Sequence, residues 1–219
     1  MVFWICWLIV VPIIFLFVPT KIIGKKNIKK VKKQGAIIAS NHQSNLDPVV
    51  LKARVDTSCK LMAKDCLFKK KFTSWLLTKF GAYPVNRGGN DIKAVKTTLS
   101  YLKNNKHIVI FPEGTRVDTG DLAELKNGLV MFALKTDCYI IPTVFRKKPK
   151  LFRFNRLLID IPFKFSDYDE FKGVKATHDV LEKASKLLSD KMQYLKDVSI
   201  KDFKARLKQN NLLDKIKKA

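Results

Sequence analysis

One short stretch of this chain combines residue types that could move a proton. Within residues 41–47, His42 lies five positions ahead of Asp47 and follows the apolar run 36–39. A histidine with a carboxylate in reach can abstract a proton from a hydroxyl group. The chain has 3 histidines, and His42 is the one with a plausible carboxylate partner. We therefore predict that His42 and Asp47 are catalytic.

A second stretch, residues 111–116, could hold an anion. Gly114 allows the backbone to approach a ligand closely, and the planar guanidinium of Arg116 can bind two phosphate oxygens. An ordinary turn with an exposed arginine explains the same residues equally well. A third stretch, residues 81–87, ends in another arginine, Arg87.

The first stretch also has a simpler interpretation. Asp47 could be only a helix cap and His42 only a polar loop residue, because a histidine and an aspartate at this spacing often occur by chance. Ser44 lies between them, but no Gly-X-Ser-X-Gly sequence surrounds it. A serine-hydrolase nucleophile is therefore not indicated.

A turn of the chain must bring His42 and Asp47 together. On a helix, residues five apart differ by about 140° in direction, and on a strand they point to opposite faces. Pro48 favours the first position of a helix and keeps the preceding residue out of the helical region. We therefore predict Asp47 as the N-cap of a helix over 48–55, with His42 on the loop that leaves a strand.

Strand and helix patterns alternate along the rest of the chain. The predicted strands cover residues 35–40, 60–64, 81–86, 107–111, 138–144 and 157–165. The predicted helices cover residues 48–55, 68–80, 91–104, 124–136 and 180–195, with Asn90 as the N-cap of the third. This alternation predicts an α/β fold with a mixed, largely parallel sheet flanked by helices.

The order of the motifs resembles that of the glycerolipid acyltransferases, most closely the bacterial 1-acylglycerol-3-phosphate type. Asn-His-Gln-Ser-Asn-Leu-Asp-Pro is followed by Gly-X5-Arg, Phe-Pro-Glu-Gly-Thr-Arg and Ile-Pro-Thr-Val. The resemblance covers roughly residues 35–145. Asn86 precedes Arg87 where the family often has an acidic residue.

This resemblance implies a reaction and roles for the motif residues. Asp47 would orient His42, and His42 would take the proton from the sn-2 hydroxyl of lysophosphatidic acid. The hydroxyl would then attack an acyl thioester of acyl carrier protein or coenzyme A to give phosphatidic acid. No metal or cofactor is expected. The residues expected to hold the acceptor are Arg87, Glu113, Gly114, Thr115, Arg116 and, more weakly, Lys64.

The N-terminal segment predicts contact with a membrane. Residues 1–18 are almost wholly apolar, and as a helix they would rise about 27 Å, against roughly 30 Å of hydrocarbon. We expect an anchor that either spans the bilayer or lies in one leaflet. Residues 21–33 hold seven lysines and no acid, which places the protein on the cytoplasmic face of the cell membrane and favours anionic lipid. We predict residues 1–33 as anchor and basic segment and residues 34–219 as catalytic domain with C-terminal helices.

Two other functions fit parts of the sequence. The formal net charge of +24 favours an anionic partner, but no nucleic-acid motif accompanies it, so a membrane-anchored nucleic-acid binder is a remote alternative and nucleic acid is not an expected partner. The nearer alternative is an acyltransferase for another lysophospholipid or lipid alcohol. The four cysteines show no metal-ligand or disulfide spacing, which is typical of reduced thiols.

Overall fold

The computed structural model describes residues 12, 16–86, 91–117 and 122–216 of the chain. Most of the predicted anchor, residues 1–18, and the predicted ligand Arg87 lie outside these residues. Among the residues that the structure describes, no helix combines the length and apolar character needed to cross a membrane.

The described chain forms one mixed sheet, as the sequence predicts. Its strands are β1 Thr20–Ile23, β2 Ala36–Ser40, β3 Lys60–Lys64, β4 Ala82–Val85, β5 His107–Ile110, β6 Tyr139–Phe145 and β7 Asn155–Ile159. The strand order is β1-β7-β6-β2-β5-β3-β4. The strands from β6 to β4 are mutually parallel, whereas β7 runs antiparallel to β6 and pairs in parallel with β1. This arrangement confirms the predicted mixed, largely parallel sheet.

Helices connect the strands and cover the sheet. They are α1 Lys26–Lys30, α2 Leu46–Val50, α3 Lys71–Lys79, α4 Ile92–Lys103, α5 Gly128–Thr136, α6 His178–Asp197 and α7 Ile200–Ile216. Residues Leu51–Val55 continue α2 as a π-helical turn. The sheet and its covering helices are those of an α/β layer fold.

Two predicted helix caps are wrong. The first helix begins at Leu46 with Asn45 at the N-cap, so Asp47 lies inside the first turn. Within the helix, the Asp47 carboxylate faces the preceding loop, where Oδ2 accepts hydrogen bonds from two loop amides. The cap of α4 is Asp91, whose side chain accepts from the Ala94 amide, and not the predicted Asn90. Asn90 itself lies outside the described residues.

The core lies on both faces of the sheet. Along β2, Ile37 and Ala39 pack in one cluster with α4, α5 and α6, and Ala36 and Ile38 pack in the other with α1 and α2. All of β2 is buried, which is why it reads as a continuous apolar run instead of an alternation. Complete burial of a side chain such as Ile37 stabilises the fold by about 2 kcal/mol, so the central strand is firmly held.

Two segments differ from the sequence expectation. The predicted late strand stops at Ile159, and Phe163 forms only an isolated bridge with Ile140, since Pro162 lacks a backbone N–H for a continued ladder. The chain before β2, predicted as a basic segment, contributes β1 and α1 to the fold. The division of the chain at residue 33 stays a prediction.

The segment of the predicted helix 68–80 is divided between two environments. The 3₁₀ turn Asp65–Phe68 precedes α3, and the partly buried Leu77 and Phe80 pack against the core. Phe72 is exposed by 71% and Trp75 by 39%. One side of this segment is therefore core structure, and the other presents aromatic rings to the outside.

Candidate active site

The two main motifs meet at one edge of the sheet. The first follows the carboxyl end of β2 and the other follows the carboxyl end of β5, and these strands are parallel neighbours. The carboxyl ends of parallel strands are the usual location of active sites in α/β folds. A hydrogen bond between backbone groups joins the two loops, because the Val117 amide donates to the His42 carbonyl at 2.9 Å. Two motifs that are separated in sequence by β3 and β4 are thereby brought side by side.

His42 and Asp47 form the predicted pair. His42 Nδ1 lies 3.0 Å from Asp47 Oδ2, and the Asp47 side chain is completely buried, while 13% of the His42 side chain is exposed. When Nδ1 donates to Asp47, Nε2 is the ring nitrogen that can accept a proton. The pair is therefore arranged as a base with a buried carboxylate behind it.

The same carboxylate oxygen also shapes the loop that carries His42. Asp47 Oδ2 accepts hydrogen bonds from the Gln43 amide at 2.6 Å and the Ser44 amide at 2.7 Å. The Ser44 hydroxyl in turn accepts from the Leu46 amide. These bonds explain how a spacing of five residues brings the side chains together: the loop folds back around the carboxylate.

Glu113 supports the His42 loop from the neighbouring strand. Its Oε2 accepts a hydrogen bond from the His42 amide at 3.0 Å, and only 4% of the residue is exposed. Burial raises the pKa of this carboxyl, although the bond from the His42 amide opposes that rise. In this structure Glu113 therefore holds the backbone of His42, whereas the sequence predicted only that it binds the acceptor.

Phe111 positions the imidazole and was missed as a site residue. Its ring stacks on that of His42, with centroids 4.1 Å apart and planes 21° apart. Phe111 is the first residue after β5, which ends at Ile110. Its position next to the Pro-Glu-Gly motif could have marked it as a site residue, but the sequence alone does not show that its ring stacks on a side chain from another strand.

A cleft opens beside His42. It has a volume of about 420 Å³, and its polar lining includes Asn45, Lys64 and Arg116. Arg116 Nη1 donates to Asn45 Oδ1 at 3.1 Å, which ties the arginine to the loop that carries the histidine. The cleft therefore combines a base with two cations, and its apolar walls include Val49, Leu61, Leu67, Leu77 and Phe80.

The residues between Glu113 and Arg116 form a tight turn. Gly114 has φ +72°, which favours glycine, and a Cβ there would lie 2.8 Å from Lys126 Cε. Thr115 is exposed beside it. Lys126 is anchored at this turn because its amide donates to the Pro112 carbonyl at 2.8 Å. The Lys126 side chain thus covers the turn.

A second cavity, of about 520 Å³, lies next to the cleft. Met62 and Phe111 line both spaces, and the second cavity continues between α4 and α5. Its apolar lining includes Val95, Ile110, Leu129 and Phe132. Two spaces with apolar walls therefore meet at the ring that stacks on His42, an arrangement suited to two amphipathic substrates.

Comparison with known proteins points to one family. A family model described as Acyltransferase matches residues 20–146. The 1-acyl-sn-glycerol-3-phosphate acyltransferase of Borreliella burgdorferi is 33% identical over 125 residues, which is 54% of this chain and 48% of that protein. The enzyme of the same name from Bacillus subtilis is 27% identical over 188 residues, 80% of this chain and 90% of that protein. The chain thus spans about half the length of the first relative and most of the second.

A solved structure has the same fold. The 1-acyl-sn-glycerophosphate acyltransferase PlsC from Thermotoga maritima superimposes with a TM-score of 0.63, at 23% identity, over 84% of this chain and 75% of that one. At this identity the likeness concerns the fold alone.

Proposed function

Since the chain belongs to the acyltransferase family, we propose that it transfers an acyl chain from a thioester to the sn-2 hydroxyl of lysophosphatidic acid, giving phosphatidic acid. One observation carries this proposal. The His42–Asp47 pair, at 3.0 Å, lines a cleft that also contains Arg116 and Lys64. A base beside two cations suits an acceptor that carries both a hydroxyl and a phosphate.

The reaction follows from the arrangement of His42. Nε2 takes the proton of the sn-2 hydroxyl while the hydroxyl oxygen attacks the thioester carbonyl carbon. Asp47 stabilises the imidazolium that forms, because its buried carboxylate accepts from Nδ1. The tetrahedral intermediate collapses, the carbon–sulfur bond breaks, and the thiolate leaves with the proton returned by His42. The products are the ester and a free thiol, and the histidine returns to its neutral form.

Arg116 and Lys64 are proposed to hold the phosphate of the acceptor. A guanidinium offers paired donors to phosphate oxygens, and an ammonium adds a point charge. Gly114 and Thr115 form the turn beside them, and Arg87, outside the described residues, is proposed to join them. Fixing the phosphate also fixes the hydroxyl near His42, which lowers the entropic cost of the reaction.

The second cavity is proposed to take the acyl chain of the donor. Its apolar walls reach the cleft at Phe111, beside the imidazole, so a chain lying there would end near the reacting carbonyl. Acyl carrier protein and coenzyme A thioesters are both proposed donors, and the thioester is a co-substrate. The mechanism uses no resident metal or cofactor.

The proposed substrate resides in a membrane, and the sequence offers a means of staying there. Residues 1–18 are apolar and residues 21–33 are basic, so we propose anchoring at the cytoplasmic face of an anionic cell membrane. An acyltransferase with this acceptor needs such a location, because lysophosphatidic acid and its product are lipids.

A transfer assay with purified protein tests the function. We expect wild type to acylate lysophosphatidic acid from one or both thioesters and to use a phosphate-free monoacylglycerol poorly. Arg116→Ala should raise the KM for lysophosphatidic acid by about 10-fold or more, since a hydrogen bond to a charged group contributes about 1.5–3 kcal/mol. Lys186→Ala, an exposed cation on α6, is the matched control and should leave the KM unchanged.

Two results would contradict the proposal. Equal use of the phosphate-free acceptor would remove the assigned role of Arg116 and point to the lipid-alcohol alternative. Absence of transfer with either thioester would remove the proposed reaction itself.

A further inference from the structure

The loop between β6 and β7 lies at the same edge of the sheet as His42. Ser40 pairs with Thr143, so β6 runs to Phe145, level with the start of the His42 loop. Asn41, the residue before His42, lies at the same height as Phe145, because its side-chain amide donates to the Phe145 carbonyl and accepts from the Phe145 amide. The β6–β7 loop, defined here as residues 146–154, therefore projects beyond the edge that carries the catalytic pair.

The tip of this loop exposes large apolar side chains. Leu151 is exposed by 52%, Phe152 by 73% and Phe154 by 89%. Such a group of exposed apolar residues on a soluble surface marks an interaction site. Cations surround the tip, and residues 146–156 contain no acid; the exposed cations are Lys147, Lys148, Lys150, Arg153 and Arg156.

The loop is held in this shape by a buried side chain. Asn155 is 6% exposed, and its Nδ2 donates to the carbonyls of Lys150 and Arg153, while its Oδ1 accepts from the Lys150 amide. At the tip, Phe152 has φ +56°, a conformation uncommon for an aromatic residue. The apolar rings therefore point outward from a braced turn and do not result from a loose chain.

The loop also touches the end of the N-terminal apolar segment. The Phe152 amide donates to the Phe17 carbonyl at 2.7 Å, and the two rings meet edge to face with centroids 5.1 Å apart. Asn155 Nδ2 donates to the Pro19 carbonyl as well. Leu16, next to Phe17, is 72% exposed. The exposed tip is thus continuous with the segment that is proposed to enter the membrane.

We propose that the β6–β7 loop is a second membrane-docking element, which inserts Leu151, Phe152 and Phe154 into an anionic leaflet while its cations contact lipid headgroups. The combination of exposed apolar side chains with surrounding cations indicates that the partner is an anionic membrane. Apolar tips enter the acyl boundary and surrounding cations bind anionic headgroups, whereas an acidic carrier protein would need the cations but not the exposed rings. A second copy of this chain would bring together two strongly basic surfaces.

This inference deepens the proposed function, on which its consequence for catalysis rests. Docking through a loop level with His42 places the mouth of the cleft at the lipid surface. An acceptor could then enter the cleft from the leaflet without passing through bulk water. The N-terminal segment would fix the protein to the membrane, and the loop would fix the orientation of the active-site edge.

Fluorescence quenching in the full-length chain tests the docking without using activity. A background with Trp4→Phe, Trp7→Phe and Trp75→Phe has no tryptophan, and Phe154→Trp then places a single reporter at the tip. On vesicles of phosphatidylglycerol and brominated phosphatidylcholine, we expect the emission to shift to the blue and to be quenched by the bromine. The matched control is Leu212→Trp in the same background, at a residue exposed by 59% on α7, where no quenching is expected.

Several outcomes would overturn the docking. These are an unquenched reporter at position 154 on vesicle-bound protein, equal quenching at position 212, or failure to bind the vesicles. A shift of the position-154 emission on adding acyl carrier protein without vesicles, or on raising the protein concentration alone, would assign the loop to a carrier or to a second copy.

A kinetic pair separates this inference from the proposed function. Leu151→Ser/Phe154→Ser should raise the apparent KM for lysophosphatidic acid in anionic vesicles and leave the KM for a short-chain, water-soluble acceptor unchanged. Leu212→Ser/Leu213→Ser is the control and should change neither value. An unchanged KM on vesicles in the loop variant would overturn the docking role. If wild type transfers no acyl group, the proposed function fails while the quenching result still decides the docking.

Discussion

At the scale of single residues, one carboxylate oxygen does most of the organising. Asp47 Oδ2 accepts from His42 Nδ1 and from the amides of Gln43 and Ser44. It therefore sets both the loop conformation and the orientation of the base. A residue that only caps a helix would not bind the His42 ring and the loop amides together. The two residues therefore need a short loop between them, and a regular helix or strand would not bring their side chains together.

Substitution of the pair separates its chemistry from its structural role. We expect His42→Ala to abolish transfer, and Asp47→Asn to lower kcat by at least about 100-fold with little change in KM. The asparagine oxygen can still accept the loop amides and Nδ1–H, but it lacks the charge that stabilises the imidazolium. Steady-state kinetics and thermal unfolding measure the two effects.

The contrast with a third variant provides the check. Asp47→Ala removes the loop bonds as well, and its Tm should fall below that of Asp47→Asn. Near-wild-type turnover by His42→Ala would show that another group abstracts the proton.

At the scale of elements, the central strands carry the site. The loops that follow β2 and β5 contain its proposed catalytic residues, and Phe145 at the end of β6 holds Asn41 at the start of the first loop. Asn41 is completely buried, and its amide makes two backbone bonds to Phe145. It acts as a clamp where the sheet ladder between β2 and β6 ends and the loop that carries His42 begins.

Removing this clamp should loosen the site. We expect Asn41→Ala to lower the free energy of unfolding by about 2 kcal/mol, because it leaves a buried carbonyl and a buried amide of Phe145 without partners. We also expect kcat to fall, since His42 is the next residue. Urea unfolding and the transfer assay measure the two quantities.

Asn104→Ala is a suitable comparison. The Asn104 side chain bonds to the Ser100 carbonyl at an exposed helix end. A loss of stability equal to that of Asn41→Ala would show that burial of the clamp contributes nothing.

At the scale of the whole molecule, the two edges of the sheet carry different groups of polar residues. The carboxyl edge carries the cleft, and the amino edge carries a buried ion pair. His107 Nδ1 lies 2.6 Å from Asp56 Oδ2, and Nε2 lies 3.1 Å from the Val31 carbonyl. Burial opposes both charges, but the hydrogen bonds outweigh it, so the pKa of His107 is raised and the pKa of Asp56 falls to about 2.

These shifts predict a pH dependence of stability. Because the folded pKa of His107 is raised, its contribution is complete below the ordinary value of 6.5 and is lost as the pH rises through the folded pKa. Because the pKa of Asp56 is lowered, its contribution is complete above 3.8 and is lost as the pH falls toward 2. The pair should therefore contribute most between pH 3.8 and 6.5.

Urea unfolding at a series of pH values measures this contribution. His107→Gln should remove the loss of stability on the alkaline side, whereas His178→Gln should not, because His178 is an exposed residue on α6. An identical pH profile for His107→Gln and wild type would contradict the role of the pair.

The sequence alone determined the class of the fold and named the residues that are proposed to react. The motifs named His42, Asp47 and Arg116, and the continuous apolar runs indicated strands buried on both faces, because both properties are local along the chain. The sequence did not determine helix boundaries, as the cap of α2 shows, because the conformation of the preceding loop decides which amides the Asp47 side chain meets.

Only the tertiary structure decided how these groups meet. The pairing of β2 with β5 and β6 brings Phe111 onto the His42 ring, turns Glu113 toward the His42 backbone and sets the β6–β7 loop at the same edge. These contacts join residues far apart in sequence, and the register of the parallel strands sets them. No single stretch of the chain encodes that register. The hydrogen bond between Glu113 and the His42 amide, the stacking of Phe111 on His42 and the position of the β6–β7 loop therefore become visible only in the assembled sheet.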